Sequence, residues 1–258
     1  MILLSFDIEE FDVPKEHNID ISLEEQIKVS AEGTLKILDC LKRNQVVATF
    51  FCTANFAIQS PNIISRIQAE GHEIASHGFY HSDFKTEDLI LSKKKLEEIT
   101  GTEIYGYRQA RMMPVSEKAI YEAGYKYNSS LNPTFIPGRY MKLSVPRTSF
   151  MKEGVLQIPT SVTPFVRFPL FWLSCHNLPA KLYRWLCKLT HHHDGYFVTY
   201  FHPWEFYPLN DHPEWNLPYI IRNHSGEEME KRLDAFIKYF KKENTKFVKF
   251  ADYMIITN

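Results

Sequence analysis

The hydrophobic pattern along the chain switches repeatedly between two periods. Ile2–Phe6 is a continuous apolar run, as expected of a strand covered on both faces. Ser22 and Glu25 then have capping-box spacing at the head of "LEEQIKVSAEGTLKILDCLKRN", where Ile27, Leu35, Ile37, Leu38 and Leu41 keep a helical stripe. Val46–Phe51 is β-branched and aromatic, which predicts a strand. "SPNIISRIQAEG" offers Ser60 as N-cap, Pro61 at the first helical position and Gly71 as the stop. "HEIASHG" reads as a short strand running into a loop. Further on, the pattern predicts helices over Thr86–Ile99, Ser116–Ala123, Leu182–Leu189 and Glu227–Lys242. Strands are predicted at Ile104–Tyr107, Val155–Pro159, Tyr196–Phe201 and Lys246–Phe250.

Strands alternating with helices imply right-handed βαβ units and a parallel sheet, so the fold class is α/β. The units suffice to close an irregular barrel. The chain, 258 residues with 44% hydrophobic, suits a single large domain. Residues 132–178, rich in proline and aromatics, break the alternation and read as a loop-rich insertion over one face.

The formal net charge of −1 gives no pointer to nucleic acid or to an anionic membrane as partner. Cys40, Cys52, Cys175 and Cys187 form no CxxC pair and read as reduced core thiols, with a Cys175–Cys187 bridge as the alternative. The apolar start is too short for a signal peptide and lacks a basic lead, and no apolar run reaches the ~20 residues of a membrane span. These features predict a cytoplasmic protein.

Polar residues collect just after the proposed strands. Asp7 and Glu9 follow the first, His77 and His81 a later one, Arg108 the next, and His202 a late one. In parallel α/β folds the strand exits gather binding and catalytic groups. His77 and His81 have H-x3-H spacing, which can set two imidazoles on one metal. A carboxylate as third ligand leaves coordination positions open, as in catalytic zinc and some iron sites. The remaining acid could be a general base and His202 a general acid. Each signal alone has a bland reading: a turn cap, a structural ion pair, an incidental histidine pair. Their coincidence at strand exits favours a site.

These segments resemble the polysaccharide deacetylases of carbohydrate esterase family 4, the NodB-homology group. "SFDIE" (Ser5–Glu9) stands where that family has T-F-D-D, "HGFYH" (His77–His81) where it has H-[ST]-x-x-H, "RQAR" where it has R-x-P, and "YFH" (Tyr200–His202) where it has L-x-H. "FHPWEF" is most similar to an exopolysaccharide-associated subgroup. The resemblance covers Met1–Gly124 and returns at Tyr196–Phe206. It implies a distorted (β/α)7-type barrel and hydrolysis of an N-acetyl amide on a poly- or oligosaccharide or a glycan precursor. It also implies one divalent metal, zinc first, with cobalt, nickel, manganese or iron as alternatives. Position by position, Asp7 matches the catalytic base, His202 the acid, Arg108 the arginine that orients the base, and His77 and His81 the metal ligands.

Three departures stand out. Ile8 replaces the family's metal-binding aspartate, so the ligand role moves to Glu9, which in a strand-like segment points the same way as Asp7. Ala110 replaces the proline of the arginine motif. No counterpart of the aspartate that tunes the acid histidine is visible. Two other readings therefore stay open: an amidase for cyclic amides in the same barrel, and a carbohydrate-binding barrel that has lost turnover. Trp204, beside His202, is expected to wall the substrate site and Glu205 to bind substrate or brace the loop; Trp172, Trp185 and Trp215 read as core or loop packing. His191, His192 and His193 read as an exposed helix end rather than a second metal site.

Overall fold

Ile2–Ile8 forms β1, buried along its whole length. Its hydrophobic residues cover both faces because it lies between two parallel neighbours in the middle of the fold. The computed structural model describes residues 1–136 and 140–257. In chain order the other strands are β2 (Thr49–Cys52), β3 (Glu73–Ser76), β4 (Gly106–Tyr107), β5 (Tyr127–Asn128), β6 (Phe135–Ile136), β7 (Tyr140–Met141), β8 (Phe150–Lys152), β9 (Val155–Gln157) and β10 (Phe197–Phe201). The main sheet runs β10-β1-β2-β3-β4-β5-β9-β8. Its first seven members pair in parallel and β8 is antiparallel. The sheet curls until Ser161, just past β9, donates its N–H to Val198 O of β10 at 3.0 Å. This is the single-domain, distorted α/β barrel expected from the sequence.

The helices are α1 (Leu23–Asn44), α2 (Ala54–Gln59), α3 (Pro61–Ala69), α4 (Asp88–Thr100), α5 (Glu117–Glu122), α6 (Trp172–Asn177), α7 (Ala180–Asp194), α8 (Tyr219–Arg222), α9 (Glu227–Lys242) and α10 (Phe250–Thr257). Ser22 caps α1 as its spacing predicts, its Oγ accepting from Glu25 N at 3.2 Å. Residues 132–178 carry β6 to β9 and α6 between loops, and β6 and β7 pair as a separate antiparallel hairpin. Pro137, Gly138 and Arg139 of that stretch lie outside the described residues.

One predicted strand is absent. Lys246–Phe250 makes only a bridge to Ile2 and then turns into α10. Ile2 N donates to Lys246 O and Val248 N to Ile2 O. Phe250 then plugs the barrel floor, edge-on to Phe51 at 5.4 Å and stacked on Tyr127 at 5.8 Å. Its apolar character serves that plug rather than a sheet. All four cysteines are free and buried, so no Cys175–Cys187 bridge forms. Among the described residues no helix is long and apolar enough to cross a membrane.

The strand register positions the site. Ile8, Cys52, Ser76, Tyr107, Asn128 and Gln157 stand on one rung around the sheet. The residues one step beyond that rung include Glu9, His77, Arg108 and Ser129. Phe6 pairs with Phe201, so His202 comes level with Asp7.

Candidate active site

Asp7, Glu9, His77, His81, His202 and Trp204 line one cavity of about 200 Å³ at the strand exits. Glu9 Oε2 lies 3.1 Å from His77 Nε2 and 3.0 Å from His81 Nε2. Their three donor atoms fall within 4.8 Å of one another, the one such cluster of three found among the described residues.

The neighbours of these groups fix which atoms face each other. His77 Nδ1 lies 2.9 Å from Arg108 O, a carbonyl that can only accept, so Nδ1 carries the proton. His81 Nδ1 lies 2.7 Å from Asp12 Oδ1, which accepts a hydrogen bond from that nitrogen in the same way. Both Nε2 atoms are thereby aimed at Glu9. Trp204 Nε1 donates to Glu9 Oε1 at 3.2 Å and leaves Oε2 to the histidines. Asp12 is held in turn by Ser82 Oγ at 2.5 Å and Arg111 at 3.0 Å. Two imidazoles and one carboxylate, with further positions open toward the cavity, are a donor set suited to zinc or a similar divalent ion.

Electrostatics follows from burial and proximity. Burial would raise the Glu9 carboxyl, but His81, His202 and His77 outweigh it and hold Glu9 well below the ordinary carboxylate range. Burial would lower His81, but Glu9 and Asp12 raise it well above the usual imidazole value. A bound cation acts the other way on the imidazole, because a ligating nitrogen must be unprotonated.

Arg108 is fully enclosed and does not reach the cavity. It donates from Nη1 to Asp7 Oδ1 at 2.5 Å and to Ser5 Oγ at 3.0 Å. Nε and Nη2 donate to Ser129 O and Oγ, and the guanidinium lies 3.9 Å over the Phe51 ring. With four hydrogen bonds and a ring face holding it, Arg108 can aim only one Asp7 oxygen, leaving the other toward the cavity. Ala110, in the proline position, sits buried in a short helical turn whose neighbour Arg111 has φ 56°.

His202 Nδ1 lies 2.9 Å from Glu205 Oε1, which also accepts from His202 N at 2.6 Å. Glu205 Oε2 lies 2.9 Å from His176 Nε2. Burial lowers His202, but Glu9, Glu205 and Asp7 together raise it above the ordinary value. The His202 ring stacks on Trp204 at 4.8 Å and meets the edge of Trp172 at 5.3 Å.

The structure sharpens two sequence expectations here. Glu205 is fully buried behind His202 and does not line the cavity, so it braces the histidine and is out of reach of substrate. The short helical turn Pro203–Phe206 folds its carboxylate back onto His202. Trp204 lines the cavity, but one ring face is taken by His202 and only 2% of the residue is exposed, so it offers no open platform to a sugar. Trp172, read as packing, lines the cavity through α6. Trp215 is core, stacked on His212 at 4.1 Å, and Trp185 is exposed. Asp12 stands three residues after Glu9 in the sequence, but only the fold shows it behind His81. Ser129 and His176 carried no sequence signal, and Ser5 was visible only as the first residue of the opening motif. In the last turn of α7, His191 lies 2.9 Å from the Met1 amine, and burial pushes it down to about 4.

Comparison with known proteins agrees with this geometry. The family model "Polysaccharide deacetylase" matches residues 3–126. The peptidoglycan-N-acetylmuramic acid deacetylase PdaA of Bacillus subtilis is 38% identical over 72 residues, 28% of this chain and 27% of that protein. The chitin deacetylase of Colletotrichum lindemuthianum is 39% identical over 75 residues, 26% and 30% of the two chains. The chain thus spans under a third of the length of these two relatives. Among solved structures, a Mycobacterium smegmatis protein assigned to the polysaccharide deacetylases superposes with TM-score 0.68 at 18% identity, covering 98% of this chain and 87% of that one. Puue allantoinase gives 0.66 at 16% identity, covering 98% and 88%. A Bacillus anthracis pseudoenzyme of the CE4 family gives 0.56 at 11%, covering 98% and 65%. Residues 3–126, which carry Asp7, Glu9, His77, His81 and Arg108, thus match the polysaccharide-deacetylase family model, and the chain's fold is similar to that of the Mycobacterium smegmatis structure along nearly its whole length.

Proposed function

We propose that the protein is a metal-dependent hydrolase that removes N-acetyl groups from a saccharide. The observation that supports this best is the convergence of Glu9, His77 and His81 with Asp7 and His202 on one cavity. Glu9, His77 and His81 would hold the ion. When bound, a divalent metal polarises a carbonyl and lowers the pKa of water. Asp7, aimed by Arg108, takes the proton of the water that attacks the acetyl carbon. His202, whose pKa its carboxylate neighbours raise, gives a proton to the sugar nitrogen as the C–N bond breaks. The products are a free amine and acetic acid, which ionises to acetate by giving its proton to solvent; the proton taken by Asp7 and the one given by His202 offset each other, so atoms and charge balance. Ile8 is no obstacle in this reading, because Glu9 supplies the carboxylate that Ile8 cannot.

Release of acetate from N-acetylglucosamine oligomers by the zinc-loaded protein tests the reading. Wild type should turn over. Asp7→Asn should keep its metal and lose about 10²- to 10⁴-fold in rate, the range for a general base. His77→Ala should lose metal and activity together. Ring opening of a cyclic amide without acetate release would replace this reading with the amidase one. Tight metal with neither reaction would leave a degenerate barrel of the pseudoenzyme kind.

A further inference from the structure

The charged groups at the cavity are committed to the metal, to the reaction or to each other. Glu16 and Arg111 form a pair, and Arg111 also meets Asp12. Val13, Met112, Ile136, Leu173 and Ile221 make much of the remaining wall apolar. Gln109 differs from both groups. It lines the cavity and is only 1% exposed, yet half of its carboxamide is uncommitted. Oε1 accepts from the Tyr107 hydroxyl. Among the described residues Nε2 has no partner, and it is not sealed inside protein as the orphaned Asn132 Nδ2 is.

Tyr107 fixes which end of the amide faces the cavity. It is fully buried, and burial pushes its hydroxyl well above the ordinary phenol range, so the O–H proton stays in place. Gln109 Oε1 is the acceptor it meets among the described residues. The hydroxyl therefore donates, the amide oxygen accepts, and the NH2 group turns to the cavity. The main chain is held as firmly. Gln109 N donates to Ser130 Oγ at 2.8 Å, Ser130 Oγ donates to Asn128 Oδ1, and Asn128 Nδ2 donates to Gln157 Oε1 at 2.9 Å. A buried donor without a protein partner is costly to keep, so its presence calls for a reason. An amide anchored at both its oxygen and its main chain is preorganised to receive a ligand.

The register shows which part of a ligand it would meet. Tyr107 pairs with Ser76, so Arg108 comes level with His77 and Gln109 stands one residue further out. We infer that Gln109 is a substrate-binding residue whose Nε2 donates to a hydroxyl or ring oxygen of the sugar that carries the acetyl group, and not to the acetyl oxygen at the metal. This rests on the deacetylase reading and extends it to specificity. An acetamide that lacks such an oxygen leaves the donor unpaired and is selected against.

Steady-state kinetics of the zinc-loaded protein on N-acetylglucosamine oligomers tests the assignment. Gln109→Met keeps the length of the side chain and removes the donor. It should raise KM about ten- to a hundredfold with kcat within about twofold of wild type, the pattern of binding lost equally from ground and transition states. Gln109→Met also strands the Tyr107 hydroxyl, so a second comparison guards against misfolding. The double variant Tyr107→Phe, Gln109→Met removes both partners of that bond and should show the same rise in KM relative to Tyr107→Phe alone, whose amide keeps its donor. Zinc affinity, measured by competition with a chelator, should match wild type in every variant, because the Arg108 carbonyl and not the Gln109 side chain holds His77. An unchanged KM, a loss confined to kcat, or a weakened zinc affinity would overturn the inference and leave the hydrolase standing. Absence of acetate release by wild type would remove the deacetylase reading, and this inference with it.

Discussion

Glu205 Oε1 accepts from both the ring and the backbone N–H of His202, while Oε2 meets His176. The sequence shows no aspartate to tune the acid histidine, yet the fold delivers a carboxylate to His202 Nδ1 from three residues downstream. That substitution was illegible in "FHPWE", because a glutamate three residues on can fold back or reach out. The buried turn decides it. Removing the charge has a defined sign. The folded-state pKa of His202 is raised, so it is protonated below that value and the reaction loses its acid as pH rises through it. Glu205→Gln leaves burial to pull the pKa down. The alkaline limb of the kcat/KM profile should therefore move to lower pH, and on that limb activity at a fixed pH should fall about tenfold for every pH unit the limb moves. An unmoved alkaline limb would remove Glu205 from the mechanism.

At the level of elements, α1 and the Pro203–Phe206 turn set the distance between the two halves of the site. Gly33 lies where they meet: a Cβ added there would come within 1.9 Å of Pro203 O. Ser30 Oγ, one turn earlier, donates to Glu9 O at 2.6 Å. The helix therefore supports both the residue after β1 and the turn that carries Glu205. Gly33→Ala should cost about 1–3 kcal/mol by overpacking. That corresponds to roughly 2–4 °C in Tm per kcal/mol for a chain near this size. It should also lower kcat, since the turn and His202 must shift. A Tm and kcat equal to wild type would show that the interface has slack. The strand exits were legible because parallel strands hand over successive residues at one end, whatever the helices do. Lys246–Phe250 was misread because apolar residues that plug a barrel floor look like those that pair in a sheet. Trp172 was missed because α6 lies in a stretch without periodicity.

For the whole molecule, the α/β barrel was legible from alternation alone, since each apolar run needs two covered faces. The site's composition was legible as well. Its internal hydrogen bonding was not, because Asp12, Ser129 and His176 reach their partners only through the closed sheet. A metal bound to the folded chain stabilises it by mass action, about 4 kcal/mol at a thousandfold excess over Kd. Chelation should therefore lower Tm by roughly ten degrees, and zinc should restore it. The gain should fade as acid protonates the imidazoles; a Tm indifferent to chelator and zinc would argue against the site. Anomalous diffraction at the zinc edge, from crystals grown with zinc, tests the central claim most directly. The account predicts one peak bonded to Glu9 Oε2, His77 Nε2 and His81 Nε2 at about 2.0–2.2 Å. A peak elsewhere, or one that leaves Glu9 uncoordinated, would contradict it.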